Sequence, residues 1–169
     1  MSISAAVAPS YHDETGHDLL SGYLETLALI ERLHRLLLDV IKDEFERVGR
    51  FDINSVQALL LFNIGSKVMT AGKLKSRGYY QGSNVSYNIK KLTEMGYLVQ
   101  RRAPHDKRSV TVALTEKAHE VVAHIRNLEE RIAGSLAEND LDSEEIGNVC
   151  RALRRLEGVW TEVIHYGRS

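Results

Sequence analysis

Residues 82–114 read GSNVSYNIKKLTEMGYLVQRRAPHDKRSVTVAL, and the reading of this stretch decides the fold. Val85, Ile89, Leu92 and Met95 recur at helical spacing, which puts them on the inner face of a helix over 83–95. The outer face then carries Ser83, Asn84, Ser86, Tyr87, Lys90 and Lys91, a polar and basic set. Gly96 stops the helix. Residues 97–102 read as a strand, Ala103-Pro104-His105-Asp106-Lys107 as a turn, and Val110, Val112 and Leu114 alternate with Thr111 and Ala113 on a return strand. The hairpin has Arg101, Arg102, His105, Lys107 and Arg108 at its tip and flanks, and a basic hairpin placed after such a helix is a wing.

Working outward, Gln81-Gly82-Ser83-Asn84 is a turn whose Ser or Asn caps the helix just described. Thr70 offers its hydroxyl as N-cap to a short helix over 71–80. Two short helices joined by a tight glycine-containing turn make a helix-turn-helix. Before them, Val56, Leu59, Leu60, Leu61, Phe62 and Ile64 belong to a helix capped by Asp52 or Asn54 and closed by Gly65. Over 19–48 the residues Leu20, Tyr23, Leu24, Leu27, Ile30, Leu33, Leu37, Val40, Ile41, Phe45 and Val48 recur every three or four positions up to Gly49, the expected stop. That helix would span roughly 40 Å, longer than one small core covers, so part of its stripe must pack on something else, and a partner subunit is the economical choice.

Downstream, Thr115 is placed to cap a helix carrying Ala118, Val121, Val122, Ile125, Leu128 and Ile132. Asp142 and Glu145 have the spacing of a capping box before a last helix with Ile146, Val149, Leu153, Leu156, Val159, Trp160, Val163 and Ile164 on its stripe. The expected class is therefore mainly α with a small β-hairpin wing. A winged helix-turn-helix lobe over 52–115 is flanked by long dimerisation helices over 18–48 and 116–169 in a single domain, and 1–17 reads as a flexible tail.

With 43% hydrophobic residues and two prolines in 169, the chain is expected to fold as one compact, mostly helical body. Cys150 is its one cysteine, which excludes an internal disulfide and a Cys pair for zinc and suits a reducing cytoplasm. No apolar run approaches the roughly 18 residues of a membrane span, and the first 17 residues lack a basic start followed by an apolar core. Neither a membrane nor a secretory route is expected, and the location is expected to be cytoplasmic.

The net charge of −1 hides a strong polarity. Residues 67–108 hold ten Lys or Arg against Glu94 and Asp106, a local balance of +8, and the remainder stands at −9. An acidic body with one basic segment steers a polyanion onto one face. A major groove about 12 Å wide admits one helix, whose outer residues must meet base edges. Asn84 suits adenine, Lys90 and Lys91 suit guanine O6 and N7, Ser83 and Ser86 are permissive partners and Tyr87 fits the same face, while Thr70 and Lys73 are expected to contact the DNA as well. Arg108 is the residue expected to enter a narrowed minor groove from the wing, braced by Asp106 accepting its hydrogen bonds. Arg101, Arg102, His105 and Lys107 then serve the phosphate backbone. Any one of these charges alone is as well explained as solvated surface; their coincidence with helix-turn-helix and hairpin grammar points to double-stranded DNA.

Other classes fit less well. No nucleophile and base, phosphate-cradling glycine loop or carboxylate pair in a recognisable context supports an enzyme, and no cofactor is implied. The histidines lack the i, i+4 spacing of a chelate: His119 and His124, like His12 and His17, are five apart, so no metal is expected. A redox sensor through Cys150 is an alternative, weakened by the absence of a second thiol to resolve a sulfenic acid. An architectural, non-specific DNA binder shares the basic patch and differs only in its specificity ratio.

The stretch Arg102-Ala103-Pro104-His105-Asp106-Lys107-Arg108-Ser109, followed by Val112-Ala113-Leu114-Thr115, resembles the wing of the MarR transcriptional regulators, with that family's Asp-x-Arg and Leu-Thr landmarks. The order of elements over 52–121 is similar to the family's DNA-binding lobe, and the flanking helices extend the likeness over 19–166. Ala118 departs from the glycine usual at that position; it falls at a helix start, where little effect is expected. Within the family, Arg32-Leu33-His34-Arg35 and Gly78-Tyr79-Tyr80-Gln81-Gly82-Ser83-Asn84-Val85-Ser86 resemble an alphaproteobacterial subgroup named for regulating L,D-transpeptidase cell-wall genes.

The resemblance implies a homodimeric, sequence-specific transcriptional regulator, with one recognition helix per half of a pseudo-palindromic operator and control of cell-wall or stress genes. It also implies a cavity between the dimer helices and the DNA lobe for a small aromatic or phenolic effector. Ile41, Phe45, Leu59 and Phe62 lie near that junction and are the expected effector-binding residues, although plain core packing is the commoner use of such positions.

Overall fold

A computed structural model describes residues 13–65, 69–70, 82–103 and 106–166, with side chains over 18–65, 70, 84–101 and 110–166. Helix α1 (Asp13–Arg47) starts six residues before the apolar stripe does. It ends at Gly49, whose φ of +71° lets the Gly49 amide reach the Glu46 carbonyl at 3.1 Å and the Arg50 amide reach the Phe45 carbonyl at 2.8 Å. Only glycine enters that left-handed region at no steric cost, so the expected stop is where the chain turns.

Helix α2 (Ser55–Ile64) is capped by Asn54 in a reciprocal box. The Gln57 amide donates to Asn54 Oδ1 at 2.8 Å, and the Asn54 amide donates to Gln57 Oε1 at 3.3 Å. Strand β1 (Met69–Thr70), helix α3 (Gly82–Glu94), strands β2 (Leu98–Ala103) and β3 (Asp106–Leu114) and helix α4 (Glu116–Leu136) follow. A 3-10 turn (Ala137–Asn139) leads into helix α5 (Ser143–Tyr166). The capping box expected at the start of α5 is present: the Asp142 amide donates to Glu145 Oε2 at 3.1 Å, and the Glu145 amide donates to Asp142 Oδ1 at 2.8 Å.

The sheet differs from the expected hairpin in two ways. It has three antiparallel strands in the order β1-β3-β2, with Met69 opposite Val112 and Thr70 opposite Thr111. Two residues are too short for any alternation signal, so β1 was invisible in the sequence. Thr70 is thus a paired strand residue, and the helix expected over 71–80 lies outside the described residues. The wing strands also run further than read: Ala103 pairs with Asp106 across a register shift that follows Arg102, leaving only two residues between the strands. Ladder pairing gives backbone groups partners that a five-residue turn would have left to water, and the irregularity absorbs the mismatch.

Thr115 sits at the N-cap of α4 in extended backbone but makes no capping hydrogen bond. Its hydroxyl faces the carbonyls of Gly96 at 2.8 Å and Tyr97 at 3.1 Å, tying the end of the wing to its beginning.

One continuous core joins the C-terminal part of α1 (Ile41, Phe45), α2 (Ala58, Leu60, Leu61, Ile64), α3 (Val85, Leu92), the sheet (Leu98, Val112) and α4 (Val121, Ile125). Glu44 is buried at the joint of α1 and α4, where Arg47 Nη2 and Arg131 Nη2 each approach its carboxylate to 2.7 Å. The Arg47 hydrogen bond, reinforced by Arg131, outweighs burial and lowers the Glu44 pKa from 4.5 to about 2.

The first half of α1 has no such core. Leu19, Leu20, Leu24, Leu29, Ile30, Leu33 and Leu36 are exposed along a helix whose 35 residues span roughly 50 Å. Among the residues of α5 none is buried, although Val149, Leu153, Val159, Trp160, Val163 and Ile164 line it. Trp160 Nε1 donates to the Tyr23 hydroxyl at 3.1 Å, so α5 lies beside α1. An open apolar cavity of about 670 Å³ runs between them, lined by Leu19, Leu20, Tyr23, Leu156, Val159, Trp160 and Val163. Among the described residues no helix is long and apolar enough to cross a membrane.

Candidate nucleic-acid interface

Helix α3 is oriented by its apolar stripe. Val85 and Leu92 are fully buried and Ile89 nearly so, while Met95 packs half-buried against the same core. With that face sealed, Ser86, Tyr87, Lys90 and Lys91 are exposed together on the opposite side, and Asn84 is exposed at the start of the helix. Lys90 and Lys91 approach Glu94 only at 3.8 and 3.7 Å, and exposed pairs of this kind hold their side chains weakly. Both ammonium groups are free to exchange Glu94 for a phosphate or a base edge. Ser83 belongs to the first turn of α3, at the end where helix amides favour anions.

Two side-chain ties hold α3. Near its start, Gln57 Nε2 donates to Asn88 Oδ1 at 3.3 Å, and Asn88 Nδ2 donates to the Asn84 carbonyl at 2.9 Å. Near its end, Gln100 Nε2 of β2 donates to Thr93 Oγ1 at 3.0 Å, and Thr93 donates to the Ile89 carbonyl at 2.7 Å. Helix and wing therefore share one frame.

The wing is anchored at Tyr97, just before β2. Its ring is fully buried, and its hydroxyl donates to Asp52 Oδ2 at 2.6 Å and accepts from Arg50 Nη1 at 3.4 Å. Arg50 also donates to Glu120 Oε2 at 3.0 Å. Lys117 Nζ stands 4.1 Å from the Tyr97 ring centroid, 3.5 Å from the Asp52 carboxylate and 3.2 Å from the Met95 carbonyl. Burial, aided by the Asp52 charge, pushes the Tyr97 hydroxyl up to about 12, and the Tyr97 hydrogen bond holds Asp52 below its ordinary value. Asp52 thus serves the wing rather than capping α2.

Of the wing residues, Arg101 is exposed on β2 opposite Thr111. Arg102 lies on β2, and Asp106, Lys107 and Arg108 lie on β3, by backbone position. Their side chains are outside the described ones, as are Lys73 and His105 altogether, so the expected Asp106 brace falls there too. Thr70 on β1 borders the wing through Thr111.

The expected effector residues are core residues: Ile41, Phe45 and Leu59 are buried, and Phe62 packs half-buried against them. Phe45 also lines a cavity of about 220 Å³ with Phe51, Ile53 and Asn54. Cys150 is exposed on α5.

Sequence reasoning missed the two ties and the Tyr97 anchor. Asn88 gave a signal: it lies three after Val85 and four before Leu92, a polar residue on the apolar stripe. The Tyr97 cluster gave none, since Arg50, Asp52, Tyr97, Lys117 and Glu120 are brought together from three separate segments.

A family model described as a winged helix DNA-binding domain matches residues 53–118. Over 155 residues the chain is 33% identical to the exopolysaccharide II synthesis transcriptional activator ExpG of Rhizobium meliloti strain 1021, covering 92% of this chain and 80% of that protein. Its fold is similar to that of a MarR transcriptional regulator from Methanosarcina mazei Go1, with a TM-score of 0.65 at 20% identity over 80% of this chain and 96% of that one. It is equally similar to Streptococcus pneumoniae FabT, solved in complex with DNA, with a TM-score of 0.65 at 16% identity over 83% and 99% of the two chains.

Proposed function

The chain belongs to the MarR family of winged helix transcriptional regulators, and from that premise we propose that it binds a pseudo-palindromic operator as a homodimer. The observation that carries this reading is α3: its apolar face is sealed in the core, and Asn84, Ser86, Tyr87, Lys90 and Lys91 stand out beside the wing. In this reading Ser83, Asn84, Ser86, Tyr87, Lys90 and Lys91 read bases in the major groove. Arg108 follows the minor groove, and Thr70, Lys73, Arg101, Arg102, His105 and Lys107 hold phosphates.

The second copy is called for by the uncovered apolar stripes of α1 and α5. Burying one large apolar side chain is worth about 1.5–3 kcal/mol, and association costs about 4–15 kcal/mol in lost freedom. The exposed Leu29, Ile30, Leu33, Val149, Leu153, Val159, Val163 and Ile164 each have about half of their surface left to bury, and doubled by symmetry they supply a term of the size needed to offset that cost. DNA halves one helical turn apart then meet one α3 each.

A small aromatic effector is part of the proposal, acting between the dimer helices and the lobe near Ile41, Phe45, Leu59 and Phe62. It alters DNA affinity only by binding one lobe spacing better than the other. The relative's name concerns exopolysaccharide synthesis, which favours cell-envelope genes as the regulated set. The test is selection from a random-sequence duplex pool by the purified protein. Enrichment of a two-fold motif bound tighter than random duplex at physiological salt is expected; equal affinity for both would establish a non-specific binder instead.

A further inference from the structure

We propose that Gln57 and Asn88 are positioning residues that set the rotation of α3 about its own axis, and thereby its sequence preference; the inference rests on α3 being the base-reading helix. Both side chains are more than nine-tenths buried, and Asn88 takes a place on α3 where the stripe calls for an apolar residue. An amide placed there costs stability unless its hydrogen bonds are made. They are made in one unbroken relay. The α2 N-terminus binds Gln57 through Asn54, Gln57 Nε2 donates to Asn88 Oδ1, and Asn88 Nδ2 donates to the Asn84 carbonyl in the first turn of α3.

The geometry gives this relay, beside the exposed Gln100 to Thr93 tie at the other end of α3, a task that packing performs less sharply. Val85, Ile89 and Leu92 hold α3 on the core through apolar contacts, which carry no direction of their own and so penalise a small axial rotation less sharply than a hydrogen bond does. The Gln57 to Asn88 hydrogen bond is directional and is lost on the same rotation. Because Lys90 projects from the far side and reaches further from the helix axis than the buried side chains do, any rotation swings its tip across the groove by more than it moves the buried face. Buried amides that fix a single register at some expense of stability have the same physical basis.

Two variants and one measurement on the unsubstituted protein test this. Asn88→Ala leaves Gln57 Nε2 unpaired in the core. The double variant Gln57→Leu with Asn88→Leu replaces both partners by apolar groups and leaves no amide unpaired in the core; the Asn54 amide, which loses Gln57 Oε1, belongs to an exposed residue that water reaches, so the fold is kept. For the double variant, affinity for the duplex that the wild type enriches from a random pool is expected to fall roughly tenfold or more, the loss expected from one misplaced base contact, while affinity for random duplex is unchanged. A double variant with the wild-type ratio of enriched to random affinity would overturn the proposal and leave the regulator reading intact. A wild type that enriches no duplex would end the regulator reading itself. In the unsubstituted protein, the Gln57 side-chain amide protons are expected to exchange with solvent far more slowly than those of an exposed glutamine. Exchange at the exposed rate overturns the proposal whatever the variants do.

Discussion

The DNA lobe and the terminal helices are built from similar amphipathic helices, yet they finish folding differently. In the lobe, α2, α3 and the sheet, joined by α4, which its place in the sequence groups with the dimerisation helices, close around side chains such as Leu60, Leu61, Leu92 and Val112, which water does not reach. In the terminal helices, α5 buries no residue and α1 leaves everything before Leu37 outside the core. The lobe is complete within one chain, whereas the terminal stripes have the periodicity of a core and lack its other half. Monomeric proteins seldom expose such continuous apolar surface, and that difference is what sets the proposed reading unit apart from the proposed assembly unit.

The largest expected effect comes from breaking the assembly unit alone. Leu153→Asp puts a charge on the apolar stripe of α5 without touching the lobe. Sedimentation is expected to show monomer, and operator affinity to fall on the order of a hundredfold because the two half-sites no longer act together. A variant that stays dimeric contradicts the assignment of that face. Breaking the reading unit should instead cost stability: Leu60→Ala empties a fully buried site and is expected to lose about 2–5 kcal/mol by denaturant unfolding. Val163→Ala, on the exposed stripe, should change a monomeric background by less than about 0.5 kcal/mol.

Contacts with DNA come next. Lys90→Ala is expected to lose about 1–3 kcal/mol of operator affinity and to relax sequence preference, and Arg108→Ala to weaken binding with a salt slope smaller by about 1. Equal relaxation by both would erase the division between helix and wing.

The last effect sits where the two regions meet. Glu44 has its folded pKa depressed to about 2, so its contribution is fully present above about 4.5 and is lost as pH falls toward 2. Glu44→Gln should cost about 1–3 kcal/mol at neutral pH and flatten the stability profile across that acid window. An unchanged acid limb in urea titrations would remove Glu44 from the joint.

Much of this comparison was legible in the chain. The stripe of α3, the stop at Gly96, the cap at Asp142 and the surplus length of α1 all follow from periodicity and local chemistry, because they depend on residues within one or two turns of each other. What escaped is non-local or too short. β1 offers two residues and exists through its pairing with β3. Thr115 looked like an ordinary cap and ties Gly96 and Tyr97 instead. Asp52 was one of two candidates for the α2 cap and is drawn away by the Tyr97 hydroxyl. The candidate site divides in the same manner: its outward residues could be named from spacing, while Gln57, Asn88 and the Tyr97 anchor required the packed fold.

Hydroxyl-radical footprinting of the protein on the duplex it selects is the sharpest check on paired half-site binding. Two protected patches on one side of the duplex are expected, related by a two-fold axis and about one helical turn apart, with the flanks contacted by the wings. Protection of a single patch, or uniform weak protection independent of sequence, would contradict paired binding.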